Sequence, residues 1–179
     1  KQLYEGKITK LREKTQGQLV IKEYPTASAH SGHFKSLMNE LALKKSFRPD
    51  VIFIDYLNIC ASSRFKGGNI SSYFYVKAIA EELRGLAVEF NVPIFSATQT
   101  TRTGYVSTDI GLEDTSESFG LPATADFMFA LISNEELEAL GQMKVKQLKN
   151  RYNDPSINRA FIIGVDRAKM RLYDVQQKA

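Results

Sequence analysis

Several things are scarce in this 179-residue sequence, and each scarcity excludes something. There is one cysteine, Cys60, so no internal disulfide can form, which fits a reducing compartment. No stretch reaches 18 uninterrupted apolar residues, which excludes a transmembrane helix. The start, Lys1-Gln2-Leu3-Tyr4-Glu5-Gly6-Lys7, has no apolar core and is not a secretory signal. No repeat, low-complexity tract or Pro/Gly/Ser-rich linker divides the chain, so one domain over 1–179 is expected. The string G-x-x-x-x-G-K-S/T does not occur; the only Gly-Lys pair is Gly6-Lys7, followed by Ile8. A phosphate cradle of that kind, built from backbone amides, is therefore missing. The chain opens on Lys1 rather than Met, as a piece cut from something longer would.

What is present reads as globular. Hydrophobic residues make up 43% and charged residues 25%, enough for a sizeable core and against disorder as the main state. The formal net charge is +4, unevenly spread. Between Met143 and Arg171 eight basic residues face two acids, Asp154 and Asp166. That local excess suits a polyanion or nucleotide phosphates, and a solvated hairpin face explains it equally well.

Periodicity gives alternating strands and helices. Lys7–Lys14 is the tail of a helix, Leu19–Glu23 a short strand and Tyr24–Ser28 a loop. A helix opens at Ser31 or Gly32, with Phe34, Leu37, Met38, Leu41 and Ala42 on one face, and Pro49 stops it. Val51–Leu57, Ile94–Thr98 and Asp126–Ile132 are continuous apolar runs, expected as strands buried on both faces. Between the first two lies the strongest helix, about Tyr73–Phe90, with Val76, Ile79, Ala80, Leu83, Leu86, Ala87 and Phe90 on its apolar side. Ser133 and Glu136 predict a capping box for a short helix ended by Gly141. Met143–Arg151, Ala160–Val165 and Met170–Val175 read as antiparallel strands. The expected class is α/β, with a mixed sheet whose ligands bind beyond the carboxyl ends of the parallel strands.

Three features could carry chemistry. Asp55, ending an apolar strand, can reach a hydrated Mg²⁺ on nucleotide phosphates; capping or ion pairing explains it too. Gln99, ending the next strand, can touch a γ-phosphate or begin an ordinary surface loop. Lys149 and Arg151 share one face of a strand and can clamp a phosphate, or face solvent. His30 and His33 lack cysteine or acid partners and read as non-metal residues. Cys60 reads as a small core residue, and Tyr73 and Phe74 as packing residues rather than base-stacking ones.

Taken together, these strings resemble the DnaB-type replicative helicases. The likeness runs through Val51–Leu57, Leu83-Arg84-Gly85-Leu86-Ala87, Val92–Gln99, Arg102, Glu117-Ser118, Ala125-Asp126 and Lys149-Asn150-Arg151. Tyr24-Pro25-Thr26, Val76–Arg84 and Gly120–Met128 are similar to the branch found in T-even bacteriophages. The resemblance covers nearly the whole chain. It implies a RecA-like P-loop NTPase core, a three-layer sandwich whose parallel sheet is extended by antiparallel C-terminal strands. It implies a cytoplasmic hexameric ring that uses ATP and Mg²⁺ to move along single-stranded DNA and unwind duplex, working with a primase and a loader.

By the same resemblance, Asp55 is the Walker B aspartate, Gln99 the γ-phosphate sensor, Arg151 an arginine finger for the neighbouring subunit and Lys149 its companion. The stretch holding Ser116, Glu117, Phe119 and Gly120, together with Arg102, corresponds to DNA-contacting elements. Ser116 stands where cellular relatives often carry Arg, and Arg64 and Lys66 in the other central loop are expected to compensate. The family's P-loop and catalytic glutamate have no counterpart here, so the chain resembles the C-terminal portion of that ATPase domain. Two rivals stay open: a RecA-like recombinase or clock-type ATPase, and a non-catalytic fragment or degenerate relative that binds single-stranded DNA or partner subunits.

Overall fold

The computed structural model describes residues 2–14, 17–65, 70–100, 111–112, 120–154 and 156–177. Its elements run α1 Gln2–Lys14, α2 Ser31–Lys45, β1 Ile52–Ile54, a 3-10 turn Leu57–Ile59, α3 Ser72–Phe90, β2 Ile94–Ser96 and α4 Gly120–Thr124. They continue with β3 Phe127–Ile132, α5 Glu135–Ala139, β4 Gln142–Asn150, β5 Ala160–Asp166, a 3-10 turn Arg167–Lys169 and β6 Arg171–Asp174.

The centre is α3. Val76, Ile79, Leu83 and Leu86 recur at helical spacing and are buried, Ile79 almost completely. Val76, Ile79 and Leu83 pack with Leu57, Cys60 and Leu121, so α3 ties the turn after β1 to α4. The helix ends on Asn91 in the left-handed conformation, which Asn tolerates, and Val92 then donates back to the Ala87 carbonyl. At the start of α2 two histidines form the cap. The His30 Nδ1 accepts from the Gly32 N–H at 3.0 Å, and the His33 Nδ1 accepts from the His30 N–H at 3.2 Å. Gly32 is needed there, because a Cβ would come within 2.8 Å of the His30 ring.

Among the described residues two sheets form instead of one mixed sheet. β1 and β2 pair in parallel, Ile52 opposite Ile94 and Ile54 opposite Ser96. β3, β4, β5 and β6 make a separate antiparallel sheet in chain order. Among the described residues β3 has no ladder to β2, so the expected junction is not made. In the second sheet Gly164 faces Tyr173, whose ring lies so close that any Cβ at 164 would overlap it.

Burial on both faces is also corrected. Phe53 is 72% exposed and stacks on the exposed Phe95 at 5.3 Å. In β3, Ala130 and Ile132 are buried while Phe127, Phe129 and Leu131 are exposed. These apolar runs are therefore covered on one side only by the described residues. Leu19–Glu23 is not a strand: Leu19 and Ile21 are each 84% exposed, and the backbone there joins no ladder. The short helix α5 is capped one residue later than expected. Asn134, not Ser133, accepts from the Leu137 N–H at 2.8 Å, while the Ser133 hydroxyl donates to Glu138. Phe74 is exposed rather than packed, with Tyr73 edge-on to it. No described helix is long and apolar enough to cross a membrane.

Candidate nucleotide-site residues and a second basic cluster

Parallel pairing brings Asp55 and Gln99 to the same edge of the sheet, because both follow the carboxyl ends of neighbouring strands. Side chains hold these two ends together. The Ser96 hydroxyl donates to the Ile54 carbonyl at 2.8 Å, and the Leu57 N–H donates to the Ala97 carbonyl. The Thr98 hydroxyl donates to the Asn58 Oδ1 at 2.8 Å, and the Gln99 amide nitrogen reaches the Tyr56 hydroxyl at 3.4 Å. Tyr56, Asn58 and Thr98 were not singled out from the sequence; their signal is their position directly beside the strand-end acid and amide. Asp55 is exposed, with no ion pair among the described residues. No described group of three or more His, Cys, Asp or Glu side chains could hold a metal. One exposed carboxylate matches the way Mg²⁺ is held, by one or two carboxylates with the rest of its shell from phosphate and water.

Lys149 and Arg151 form a second cluster. The Lys149 ammonium donates to the Pro122 carbonyl and, at 3.4 Å, to that of Ala123. The Arg151 guanidinium donates to the Ala123 carbonyl at 2.6 Å and to Asp126 at 3.3 Å. Both cations thus cap the carboxyl end of α4, where carbonyls lack helical partners. Partial burial, and then the charge of Arg151, lower the Lys149 pKa. Arg84 shares the same carboxylate, donating to Asp126 at 2.8 Å and to the Thr124 carbonyl at 2.7 Å. No described hydrogen bond or ion pair joins this cluster to Asp55 or Gln99. Asp126 escaped sequence reasoning as a hub; an acid immediately before an apolar run was its signal.

Of the expected DNA contacts, Arg64 and Gly120 are described. The Arg64 guanidinium pairs with Glu81 at 2.6 Å, and Gly120 is buried at the start of α4. Lys66, Arg102, Ser116, Glu117 and Phe119 lie outside the described residues. His30 and His33 are engaged in the α2 cap, and Cys60 is buried, which pushes its thiol pKa up.

No family model matches the chain. A DnaB-like replicative helicase of Enterobacteria phage T4 is 47% identical over 175 residues, which is 97% of this chain and 37% of that protein. The chain thus spans little more than a third of that relative's length. A solved ATPase domain superposes with a TM-score of 0.69 at 18% identity, over 83% of this chain and 52% of the other. A solved DnaB-like replicative helicase, described with its interactions with primase, gives a TM-score of 0.71 at 17% identity, over 86% of this chain and 37% of the other. Both show a shared α/β fold.

Proposed function

We propose, since the chain is related to the DnaB-like replicative helicases, that it is a working part of an ATP-driven DNA helicase with a RecA-like three-layer core. In this reading Asp55 holds Mg²⁺ through water and Gln99 contacts the γ-phosphate. Lys149 and Arg151 serve the nucleotide bound by the neighbouring subunit of a hexameric ring. Arg64, Lys66, Arg102 and the segment carrying Ser116, Glu117, Phe119 and Gly120 face single-stranded DNA. A primase and a loader are the expected partners, and the host cytoplasm the expected site of action.

The observation that carries the reading is the β1–β2 pairing, which brings an acid and an amide to the same carboxyl edge of parallel strands. Bound Mg²⁺ supplies charge neutralisation of the phosphates. The chain's own contribution is to hold Gln99 on the Tyr56 hydroxyl and to tie together the segments that follow β1 and β2 through Asn58 and Thr98. The two basic side chains add positive charge where phosphoryl charge develops.

The rival is a module that binds DNA or subunits without ATP turnover, a role that the basic excess between Met143 and Arg171 would also serve. Asp55→Asn and Gln99→Ala in the full-length protein separate the two. As part of an ATPase, each should cut DNA-stimulated ATP turnover by more than about tenfold with the ring still assembled. Unchanged turnover in both variants, with single-strand binding intact, would leave the binding module as the better account.

A further inference from the structure

Two consecutive carboxylates of α3 hold the loop 61–65 in different ways. Glu82 is buried, 9% exposed, and makes no ion pair among the described residues. Its Oε1 accepts from the Ser62 hydroxyl at 2.6 Å and the Ser63 N–H at 3.0 Å. Its Oε2 accepts from the Ser63 hydroxyl at 2.7 Å and the Ser63 N–H at 2.9 Å. The Ser31 hydroxyl, from the first turn of α2, donates to the same oxygen at 2.8 Å. The Arg64 N–H lies 3.4 Å from Oε1. A buried carboxylate without a cation persists only when its lone pairs are filled, and here directional hydroxyl and amide donors fill them. Such a cage fixes backbone geometry from Ser62 to Arg64.

Glu81 differs. Its side chain is 37% exposed and pairs with the Arg64 guanidinium, 51% exposed, at 2.6 Å; the Lys77 ammonium stands 3.8 Å from its other oxygen. A solvated ion pair of this kind is weak and exchangeable. A carboxylate and a phosphate offer guanidinium the same fork of acceptor oxygens.

We propose that Glu82 is a positioning residue that presents Arg64 at one place, and that Glu81 stands in for a nucleic-acid phosphate until a single strand displaces it. The inference rests on reading Arg64 as a DNA contact. The loop is set in advance by the buried glutamate, and its cation is kept ordered but releasable by the exposed one.

The test is oligo-dT binding by the full-length protein as a function of salt, with melting temperatures alongside. Arg64→Ala should weaken binding and flatten the salt slope by about 0.7, the share of one phosphate contact on a single strand. Glu82→Gln should reproduce that flattening although Arg64 is still present, with affinity down about fivefold. Glu81→Gln should tighten binding about threefold, as expected for release from an exposed pair. A Glu82→Gln protein that melts earlier but keeps the parent's slope overturns positioning and leaves only a structural role. Should that variant not fold, Ser63→Ala keeps the Ser63 N–H bonds and should flatten the slope partially; a parental slope there overturns positioning equally. Unchanged or weaker binding by Glu81→Gln overturns the stand-in. No effect of Arg64→Ala overturns the DNA role of Arg64 itself, and the inference with it.

Discussion

Arg84, on α3, donates to the Asp126 carboxylate at the foot of β3 across 2.8 Å. Arg151, arriving from the end of β4, donates to the same oxygen at 3.3 Å. One carboxylate therefore ties the central helix to the antiparallel sheet, which shares no ladder with the parallel pair among the described residues. Because the groups are partly solvated, each pair contributes little by itself, about 0.5 kcal/mol. Asp126→Ala should nevertheless cost about 1 kcal/mol, since it leaves two guanidiniums without their anion. A double-mutant cycle with Arg84→Ala, read by urea unfolding, should give a coupling of about 0.5 kcal/mol. Strict additivity would mean that Arg84 is held by the Thr124 carbonyl alone.

A core prediction follows from Ile79, the most deeply buried large side chain at 1% exposure. It sits on the α3 stripe among Leu57, Val76, Leu83 and Leu121. Ile79→Ala removes buried methylenes and leaves a cavity between α3, α4 and the turn after β1. It should cost about 3 kcal/mol in urea unfolding. A loss under about 1 kcal/mol would show that the elements around it collapse freely.

How much of this was legible depended on how local the cause was. The α3 stripe and the hairpins from β4 to β6 follow from spacing and turn residues, so they read directly. The separation of the two sheets did not, because an apolar run such as Phe127–Ile132 has the same composition whether one face or both are covered. Glu81 and Arg84 lie off the apolar side of α3 that the spacing names, and they are half-buried and exposed respectively. Glu82 is not named on that side either. Yet Glu82 lies three residues after Ile79 and next to Leu83, on the buried side, where an acid must have partners. The Ser62-Ser63 pair supplies them from a loop 20 residues away, a distance no periodicity reports. At the candidate nucleotide site, Asp55 and Gln99 could be named from strand ends. The engagement of Lys149 and Arg151 with α4 could not, because it depends on how β4 lies against that helix.

The pH dependence of stability should carry the mark of Glu82. Burial alone would raise its pKa, but hydrogen bonds from Ser62, Ser63 and Ser31 outweigh it and bring the value down to about 2. A folded-state pKa below the unfolded one stabilises the native state above the unfolded value, and that stability drains away as pH falls through the folded value. The contribution, roughly 3 kcal/mol near neutrality, should thus be complete above about pH 5 and decline towards pH 2. The gap in unfolding free energy between the parent and Glu82→Gln should shrink over that window. A gap constant from pH 6 to pH 3 would mean that the carboxylate titrates alike in both states.

The last prediction concerns the second basic cluster. In this structure the Arg151 guanidinium is satisfied inside its own chain, by the Ala123 carbonyl and Asp126, and the Lys149 ammonium by the Pro122 and Ala123 carbonyls. To act on a neighbour's nucleotide, Arg151 must exchange those acceptors for phosphate oxygens. A group that meets phosphate chiefly in the transition state lowers the barrier without adding much to ground-state affinity. Arg151→Ala in the assembled full-length protein should therefore reduce kcat for ATP by about a thousandfold and leave nucleotide Kd within about threefold of the parent. Asp126→Asn weakens the competing anchor but leaves Arg151 in place, so it should retain turnover. If Arg151→Ala lost affinity and turnover together, or if it changed only the melting temperature, the cluster would be a cap for α4 and nothing more.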